Sequence, residues 1–150
     1  MKISIGSDHG GVDLKDALKV SIQAWGHEVT DHGCQGCASV DYPDFAEAVG
    51  KDLQSKTADF GVLICTTGIG ICISANKMDG IRAALPHNED GARFSRLHNN
   101  ANVICFGGKY HTPYMATRLT KIFLSTDFEG GRHERRVQKI SGLETFKTQD

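Results

Sequence analysis

A buried strand that ends in a cysteine and leads directly into a glycine-bearing turn constrains this chain most. Residues 62–64 form the continuous apolar run Val-Leu-Ile, which is typical of a parallel strand covered on both faces, and Cys65 follows it. Gly68 and Gly70 then allow backbone conformations that side chains disfavour. A turn that opens into a helix presents unpaired N–H groups, which suit anions. The stretch therefore predicts a candidate ligand site, although a tight strand–helix connection would use the same glycines.

Strand-like and helix-like segments alternate along the rest of the chain in units of roughly 30 residues. Besides the strand that ends at Cys65, the predicted strands cover residues 3–5, 27–31, 81–85 and 102–106. The predicted helices cover residues 12–25, 41–53, 71–77, 88–97, 113–125 and 132–143. This order predicts βαβ crossovers and a parallel sheet. The absence of a linker predicts a single domain over residues 1–150.

Charge and cysteine usage bound the class of protein. The formal net charge of -1 argues against nucleic acid and anionic membranes as partners. No apolar run is long enough to span a membrane, and the first residues lack the pattern of a signal peptide, so we expect a soluble cytoplasmic protein. The five cysteines do not predict a disulfide framework, and Cys72 and Cys105 are expected to pack in the core. Cys34 and Cys37 form a lone CxxC, for which chance spacing is favoured over a metal or redox site.

Polar residues follow several of the predicted strands. Ligands in open parallel sheets bind beyond the carboxyl ends of the strands, which gathers Asp8, His9, Cys65 and Lys109 onto one rim. We expect His98 to lie at the same rim. Each residue also has a structural interpretation: core packing for Cys65, a helix cap for Asp8 and a polar helix end for His98. Taken separately, none of these residues establishes a site.

An arginine cluster opens the last predicted helix. Arg132 and Arg136 would share one helix face, and two guanidinium groups on one face can bind a phosphate. The alternatives are a solvated face partly neutralised by Glu134 and, less consistent with the net charge, a nucleic-acid patch.

Seven short stretches, taken in order, resemble ribose-5-phosphate isomerase type B and its relatives, the galactose-6-phosphate and allose-6-phosphate isomerases. They lie at residues 7–11, 41–43, 65–70, 75–77, 80–83, 98–102 and 130–136, so the resemblance covers about residues 3–143. It implies a three-layer α/β/α sandwich with a five-stranded parallel, Rossmann-like sheet ordered 2-1-3-5-4. It also implies a homodimer or tetramer with shared active sites, in which the helix at about residues 132–143 reaches the partner subunit.

The resemblance further implies an aldose–ketose isomerase that interconverts ribose 5-phosphate and ribulose 5-phosphate in the pentose phosphate pathway. The implied reaction proceeds by ring opening and an enediolate intermediate, with no metal and no organic cofactor. Two alternatives remain open: an isomerase of a six-carbon sugar phosphate, and a noncatalytic module that binds sugar phosphates, since fold does not determine function.

The same resemblance assigns catalytic roles. Cys65 matches the base that moves a proton between C2 and C1; some relatives use instead a glutamate at the place of Ile71. Thr67 matches a hydroxyl that assists proton transfer, His98 the ring-opening group, and Asp8 a group that assists at the substrate hydroxyls.

The implied substrate-binding positions hold the enediolate, the hydroxyls and the phosphate. They are Asp8, His9, Thr66, Thr67, Gly68, Ile69, Gly70, Asn99, Lys109, Arg132 and Arg136. Two of them depart from the family pattern, because Thr66 stands where many members have glycine and Lys109 where arginine is frequent. Lysine keeps the charge but lacks the bidentate fork of arginine.

Overall fold

The computed structural model describes residues 1–36 and 38–146 of the 150-residue chain. Strands and helices alternate within these residues, as the sequence predicts. The strands are β1 (Lys2–Ser7), β2 (Glu28–Asp31), β3 (Phe60–Cys65), β4 (Ala83–Ala84) and β5 (Val103–Gly107). The α-helices are α1 (Val12–Ala24), α2 (Tyr42–Gln54), α3 (Ile69–Asn76), α4 (Glu89–Leu97), α5 (Pro113–Ser125) and α6 (Arg132–Gly142), with 3-10 turns at His9–Gly11 and Leu143–Phe146.

The five strands form one parallel sheet in the order β2-β1-β3-β5-β4. β1 and β3 pair over residues 3–7 and 60–64, and β3 pairs with β5 up to Cys65 opposite Gly107. Strands in this central part are buried on both faces, which explains their continuous apolar runs. The predicted strand order and the parallel sheet are confirmed.

Two apolar cores lie on opposite faces of the sheet. On one face, Phe106 of β5 packs in a cluster with residues of α1, α4 and α5, among them Leu18 and Phe123. On the other face, Leu63 of β3 packs with residues of α2 and α3, among them Val49 and Ile71. Alternate residues of one strand therefore serve different helix layers, as expected for a three-layer α/β/α sandwich. None of the helices in the described ranges has the length and apolarity that a bilayer crossing requires.

The bounds of the predicted elements agree with the structure to within two residues, and two of the differences have a local cause. α3 begins at Ile69, two residues earlier than predicted, because Gly68 takes a left-handed conformation (φ 81°) and lets the helix start directly after it. β4 has only two residues rather than the predicted five. Side-chain amides replace strand pairing at this edge: Asn102 accepts a hydrogen bond from the backbone of Arg82, and Asn76 accepts one from the backbone of Ala83.

The described cysteines other than Cys65 are free thiols that differ in burial. Cys105 is fully buried, as predicted, and burial raises the pKa of its thiol well above the ordinary value. Cys72 is half-buried against the same core. Cys34 is half-buried and its thiol lies 3.5 Å from the carbonyl oxygen of Gly36. Cys37, the other half of the CxxC, lies outside the described residues.

A buried lysine joins α1 to β2. Lys15 is only 1% exposed, and its ammonium group donates hydrogen bonds to both carboxylate oxygens of Asp31, at 3.0 and 2.9 Å. Burial favours the neutral form of Asp31, but hydrogen bonds from Lys15, from the Gly33 N–H and from Lys19 outweigh it and lower the pKa of this carboxyl. The folded state is therefore stabilised by the ionised form of Asp31.

We expect Asp31→Asn to lower the free energy of unfolding by about 3 kcal/mol at pH 7, because it leaves a buried ammonium without its main partner. The folded-state pKa of Asp31 lies below its ordinary value of 3.8, so its contribution is present above that value and is lost as the pH falls through the folded-state pKa. Urea unfolding at pH 7 and at about pH 3 measures both effects. An equal difference between wild type and variant at both pH values would contradict this interpretation.

Candidate active site

A cavity of about 640 Å³ opens at the carboxyl ends of β1 and β3. Ligand sites of doubly wound sheets lie at such a position, outside the strand ends. Its lining residues are Asp8, His9, Ser39, Val40, Asp41, Tyr42, Cys65, Thr66, Thr67, Ile69, Gly70 and Ile73. The predicted meeting of the residues after the first strand with the turn after Cys65 is thus confirmed.

Cys65 is the last residue of β3 and is 3% exposed, yet its side chain lines the cavity. The backbone N–H of Gly68 donates a hydrogen bond of 3.1 Å to its sulfur. This bond is available because Gly68 adopts the left-handed conformation, which turns the chain back over the cysteine. The sulfur is therefore held at the cavity wall and is not enclosed in the apolar core.

The turn after Cys65 supplies hydrogen-bond donors to the same wall. α3 begins at Ile69, and the first N–H groups of a helix have no partners within it. The hydroxyl of Thr67 accepts a hydrogen bond of 3.3 Å from one of them, the N–H of Ile69. Gly70 lies in the first turn and also lines the cavity. Together with the positive end of the helix dipole, these groups can stabilise a negatively charged oxygen.

Asp8 and His9, which follow β1, also line the cavity. Asp8 is 4% exposed, and its Oδ1 accepts a hydrogen bond of 2.9 Å from the N–H of Gly10, so it caps the short 3-10 turn. It lines the cavity as well, so the capping and site interpretations both hold. The exposed His9 accepts a hydrogen bond of 3.2 Å at Nδ1 from the N–H of Val40. In the neutral imidazole this leaves Nε2 as a donor.

The loop after β5 braces the turn from outside. The N–H groups of Gly108 and Lys109 donate to the carbonyl oxygens of Cys65 and Thr66, at 2.8 and 3.0 Å. A Cβ atom at Gly107 would lie 2.4 Å from the carbonyl oxygen of Thr67, so only glycine fits there. The backbone of this loop thus meets the site as predicted. The side chain of Lys109 is exposed, with its Nζ 5.8 Å from the ring centroid of Tyr110.

Thr66 is accommodated by the glycine opposite it. A Cβ atom at Gly10 would lie 2.0 Å from Oγ1 of Thr66, so the threonine side chain occupies space that any other residue at position 10 would need. The departure from the family pattern at Thr66 therefore narrows the gap between the turn after β1 and the turn after β3.

Sequence analysis missed Tyr42 as a site residue. Its ring packs over Gly70, where a Cβ atom would lie 2.5 Å from Cζ of the tyrosine. Residues 39–42 form one side of the cavity, whereas sequence analysis interpreted residues 41–43 mainly as a helix start. Tyr42 could have been identified from the sequence, because residues 41–43 are one of the stretches that carry the family resemblance.

The structure places His98 and Asn99 away from this cavity, so the prediction that His98 lies at the same rim is wrong for a single chain. Both residues lie between α4 and β5, at the amino ends of the strands. The loop is anchored there because Nε of Arg82, which precedes β4, donates to the carbonyl oxygen of Asn100 at 2.8 Å. In a parallel sheet, the amino ends of the strands lie at the edge opposite the carboxyl ends.

α6 places the two arginines as the sequence predicts. Arg132 begins the helix and Arg136 follows one turn later, and both side chains are exposed. Within the described residues, neither guanidinium takes part in an ion pair. His133 and Val137 are the buried residues of the helix. α6 therefore presents two guanidinium groups that have no ion-pair partner among the described residues. They lie beside the loop between α4 and β5 that carries His98, and not beside the Cys65 cavity of the same chain.

Comparison with known proteins places this chain in an enzyme family. The family described as Ribose/Galactose Isomerase matches residues 3–140. The ribose-5-phosphate isomerase B of Escherichia coli is 38% identical over 143 residues, which cover 95% of this chain and 96% of that protein. A crystal structure of a ribose 5-phosphate isomerase from Thermotoga maritima is 48% identical, with a TM-score of 0.92, and covers 94% of this chain and 97% of that one.

A structure of the ribose-5-phosphate isomerase B of Clostridium thermocellum is 44% identical, with a TM-score of 0.96, and covers 99% of this chain and 100% of that one. Agreement of sequence and fold over nearly the full length of each protein excludes a match confined to one motif. This chain therefore belongs to the ribose/galactose isomerase family.

Proposed function

We propose that this protein is an aldose–ketose isomerase that interconverts ribose 5-phosphate and ribulose 5-phosphate. The observation that carries the proposal is the placement of Cys65: its sulfur lies beside the N-terminus of α3 and lines the same cavity as Asp8. Relatives named ribose-5-phosphate isomerase B support the choice of substrate. The family description includes galactose isomerases, so the proton-exchange experiment below compares several sugar phosphates as substrates.

The reaction moves one proton between neighbouring carbons. Cys65, as thiolate, removes the proton from C2, and the electron pair forms a C1–C2 double bond while negative charge collects on O1. The N–H groups at the start of α3 stabilise that charge, and removing one such donor in other enzymes costs about 3 kcal/mol. The proton of the C2 hydroxyl then passes to O1, and the thiol returns the first proton to C1 as the carbonyl forms at C2. Thr67 and Asp8 serve the substrate hydroxyls in this scheme.

The complete site needs a second copy of the chain. Ring opening is assigned to His98, which lies at the amino edge of the sheet, whereas Cys65 lies at its carboxyl edge. We infer that His98 and Asn99 of one protomer complete the cavity of the other, with α6 reaching across. The protein then acts as a homodimer, alone or paired into a tetramer.

Arg132 and Arg136 bind the substrate phosphate in this arrangement, together with His9 and Lys109. The two guanidinium groups are exposed and unpaired within the described residues. They are therefore available to bind the phosphate of a substrate in the cavity of the partner protomer. Binding the phosphate far from the reacting carbons orients the sugar, which uses remote binding energy for the reaction at C1 and C2.

We expect Arg132→Ala to raise KM for ribose 5-phosphate about tenfold to a hundredfold, because one charge-assisted contact to the phosphate is lost. The melting temperature should change little, since the side chain is exposed and forms no ion pair with any residue that the structure describes. Arg135→Ala, on the same helix, is the matched control and should leave KM unchanged. Steady-state kinetics and thermal melting measure both quantities, and an unchanged KM in Arg132→Ala would remove the arginine from the site.

Proton exchange tests the proposed function directly. Ribose 5-phosphate, allose 6-phosphate and galactose 6-phosphate are incubated with the protein in deuterated water, and NMR follows loss of the C2 proton and formation of the ketose. We expect exchange and product with the highest kcat/KM for ribose 5-phosphate. A higher value for a six-carbon sugar would reassign the substrate, and binding without exchange at C2 would identify a noncatalytic module.

The cytoplasm is the compartment that fits this proposal. Four cysteines in the described residues, Cys34, Cys65, Cys72 and Cys105, are unpaired thiols, which is usual in a reducing environment.

A further inference from the structure

Three rings form a stack at the amino edge of the sheet. The ring of His98 lies between Phe94, at a centroid distance of 4.8 Å and an angle of 28°, and His133, at 4.2 Å and 13°. Phe94 belongs to α4 and His133 to α6, so two helices enclose the imidazole on both faces. A ring enclosed in this way cannot rotate freely about its side-chain bonds.

A carboxylate faces the edges of both imidazoles. Oε2 of Glu129 lies 3.8 Å from Nε2 of His98 and 3.4 Å from Nε2 of His133. The backbone of Glu129 is anchored here, because its N–H donates to the carbonyl oxygen of Leu97 at 3.1 Å. Its carboxylate places one negative charge next to the ring nitrogens, where it attracts a protonated His98.

His133 is the most buried of the three stacked residues. It is 6% exposed, and within the described residues its Nε2 has no hydrogen-bond partner. Burial lowers the pKa of His133 below the ordinary value; the nearby His98, Arg132 and Arg136 act in the same direction, and Glu129 opposes them. His133 therefore presents a neutral ring to His98 and does not repel a positive charge there.

The side chains of His98, Glu129 and His133 each offer one nitrogen or oxygen atom, and these three atoms lie within 4.8 Å of one another. A metal ion bound to a histidine lies in the plane of the ring, and one ion cannot lie in the planes of two rings stacked almost in parallel. The adjacent guanidinium groups would also repel a cation. The arrangement suits control of an imidazole better than metal binding.

We propose that His133 and Glu129 are positioning residues that hold the imidazole of His98 for the ring-opening step. The proposal rests on the proposed function, which assigns that step to His98. In the step, His98 takes the proton of the C1 hydroxyl, the C1–O bond to the ring oxygen breaks as the C1 carbonyl forms, and the ring oxygen receives a proton from the imidazolium. His98 thus changes charge twice, and its orientation and charge stabilisation govern the rate.

Glu129→Gln tests the charge while keeping the shape of the side chain. We expect it to lower kcat for ribose 5-phosphate about tenfold, because the imidazolium formed in ring opening loses its counter-charge. Glu134→Gln removes the same charge from the first turn of α6 and should leave kcat unchanged. Exchange of the C1 protons of ribulose 5-phosphate, followed by NMR in deuterated water, should be unchanged in both variants. A wild-type kcat in Glu129→Gln, or equal losses with both substrates, would overturn the role of Glu129.

Two substitutions of His133 test the ring. Ribulose 5-phosphate has its C5 oxygen esterified and cannot close a furanose ring, so exchange of its C1 protons with solvent requires Cys65 but no ring opening. We expect His133→Ala to lower kcat for ribose 5-phosphate about tenfold and to leave C1 exchange of ribulose 5-phosphate unchanged. His133→Phe, which keeps a flat ring against His98, should restore most of kcat.

Equal losses with both substrates would assign His133 a purely structural role and overturn the proposal. Failure of the proposed function is distinguishable from failure of this inference. A wild-type protein inactive on both sugars would refute the isomerase, whereas an active wild type with variants that lose equally with both substrates would refute only this inference.

Discussion

Cys65→Ala is expected to lower kcat for ribose 5-phosphate by about a thousandfold, the usual contribution of a positioned proton-transfer group. The expectation follows from geometry, because the sulfur lines the cavity and is held there by the N–H of Gly68. No other side chain in the turn can act as the base: Ile71, where some relatives carry glutamate, is apolar and fully buried. In the proposed mechanism, transfer between C2 and C1 therefore depends on this sulfur.

The measurement combines initial rates with thermal melting, so that loss of catalysis is separated from loss of folding. Cys72→Ala is the matched control, since it removes a half-buried thiol of α3 that does not line the cavity. We expect this control to keep nearly wild-type kcat. Near-normal turnover by a folded Cys65→Ala protein would refute Cys65 as the base.

Mixing two inactive variants is expected to restore activity. If Cys65 of one protomer works with His98 of the other, a mixed dimer of Cys65→Ala and His98→Asn chains contains one site with both residues intact. Random reassociation of equal amounts makes half of the dimers mixed, so about a quarter of all sites should be complete. Each variant alone should show almost no conversion of ribose 5-phosphate.

The experiment unfolds the two variants together in urea, refolds them and measures kcat per site. Each variant refolded alone, and the two refolded separately and then combined, are the controls. Recovery near a quarter of the wild-type rate supports a site shared between subunits. Absence of recovery, with wild-type protein regaining full activity by the same procedure, would show that each site is built within one chain.

The local pattern of the sequence determined the elements and their layers. Apolar runs such as residues 62–64 indicate strands covered on both faces, and the cap at Thr112 followed by Pro113 marks the start of α5 where the structure has it. These signals are reliable because burial periodicity and end caps depend on residues close in the chain. The resemblance to a known family added the strand order, which the pattern of apolar residues does not encode.

The sequence also identified most residues of the Cys65 cavity, because one rule places the carboxyl ends of parallel strands at one edge. The same rule shows why the expectation for His98 was wrong: it precedes β5 and therefore lies at the opposite edge. The tertiary structure thus separates the implied catalytic residues of one chain into two groups.

Contacts between distant segments were decided by the tertiary structure alone. The ring of Tyr42 closes over Gly70, and His133 stacks on His98 across 35 positions of the chain. Such pairs depend on how loops close and how helices dock on the sheet, and no local periodicity records either. The sequence by itself thus determined the layers, the family and the cysteine, whereas the stacking of Phe94 and His133 on the ring of His98 was decided by the tertiary structure.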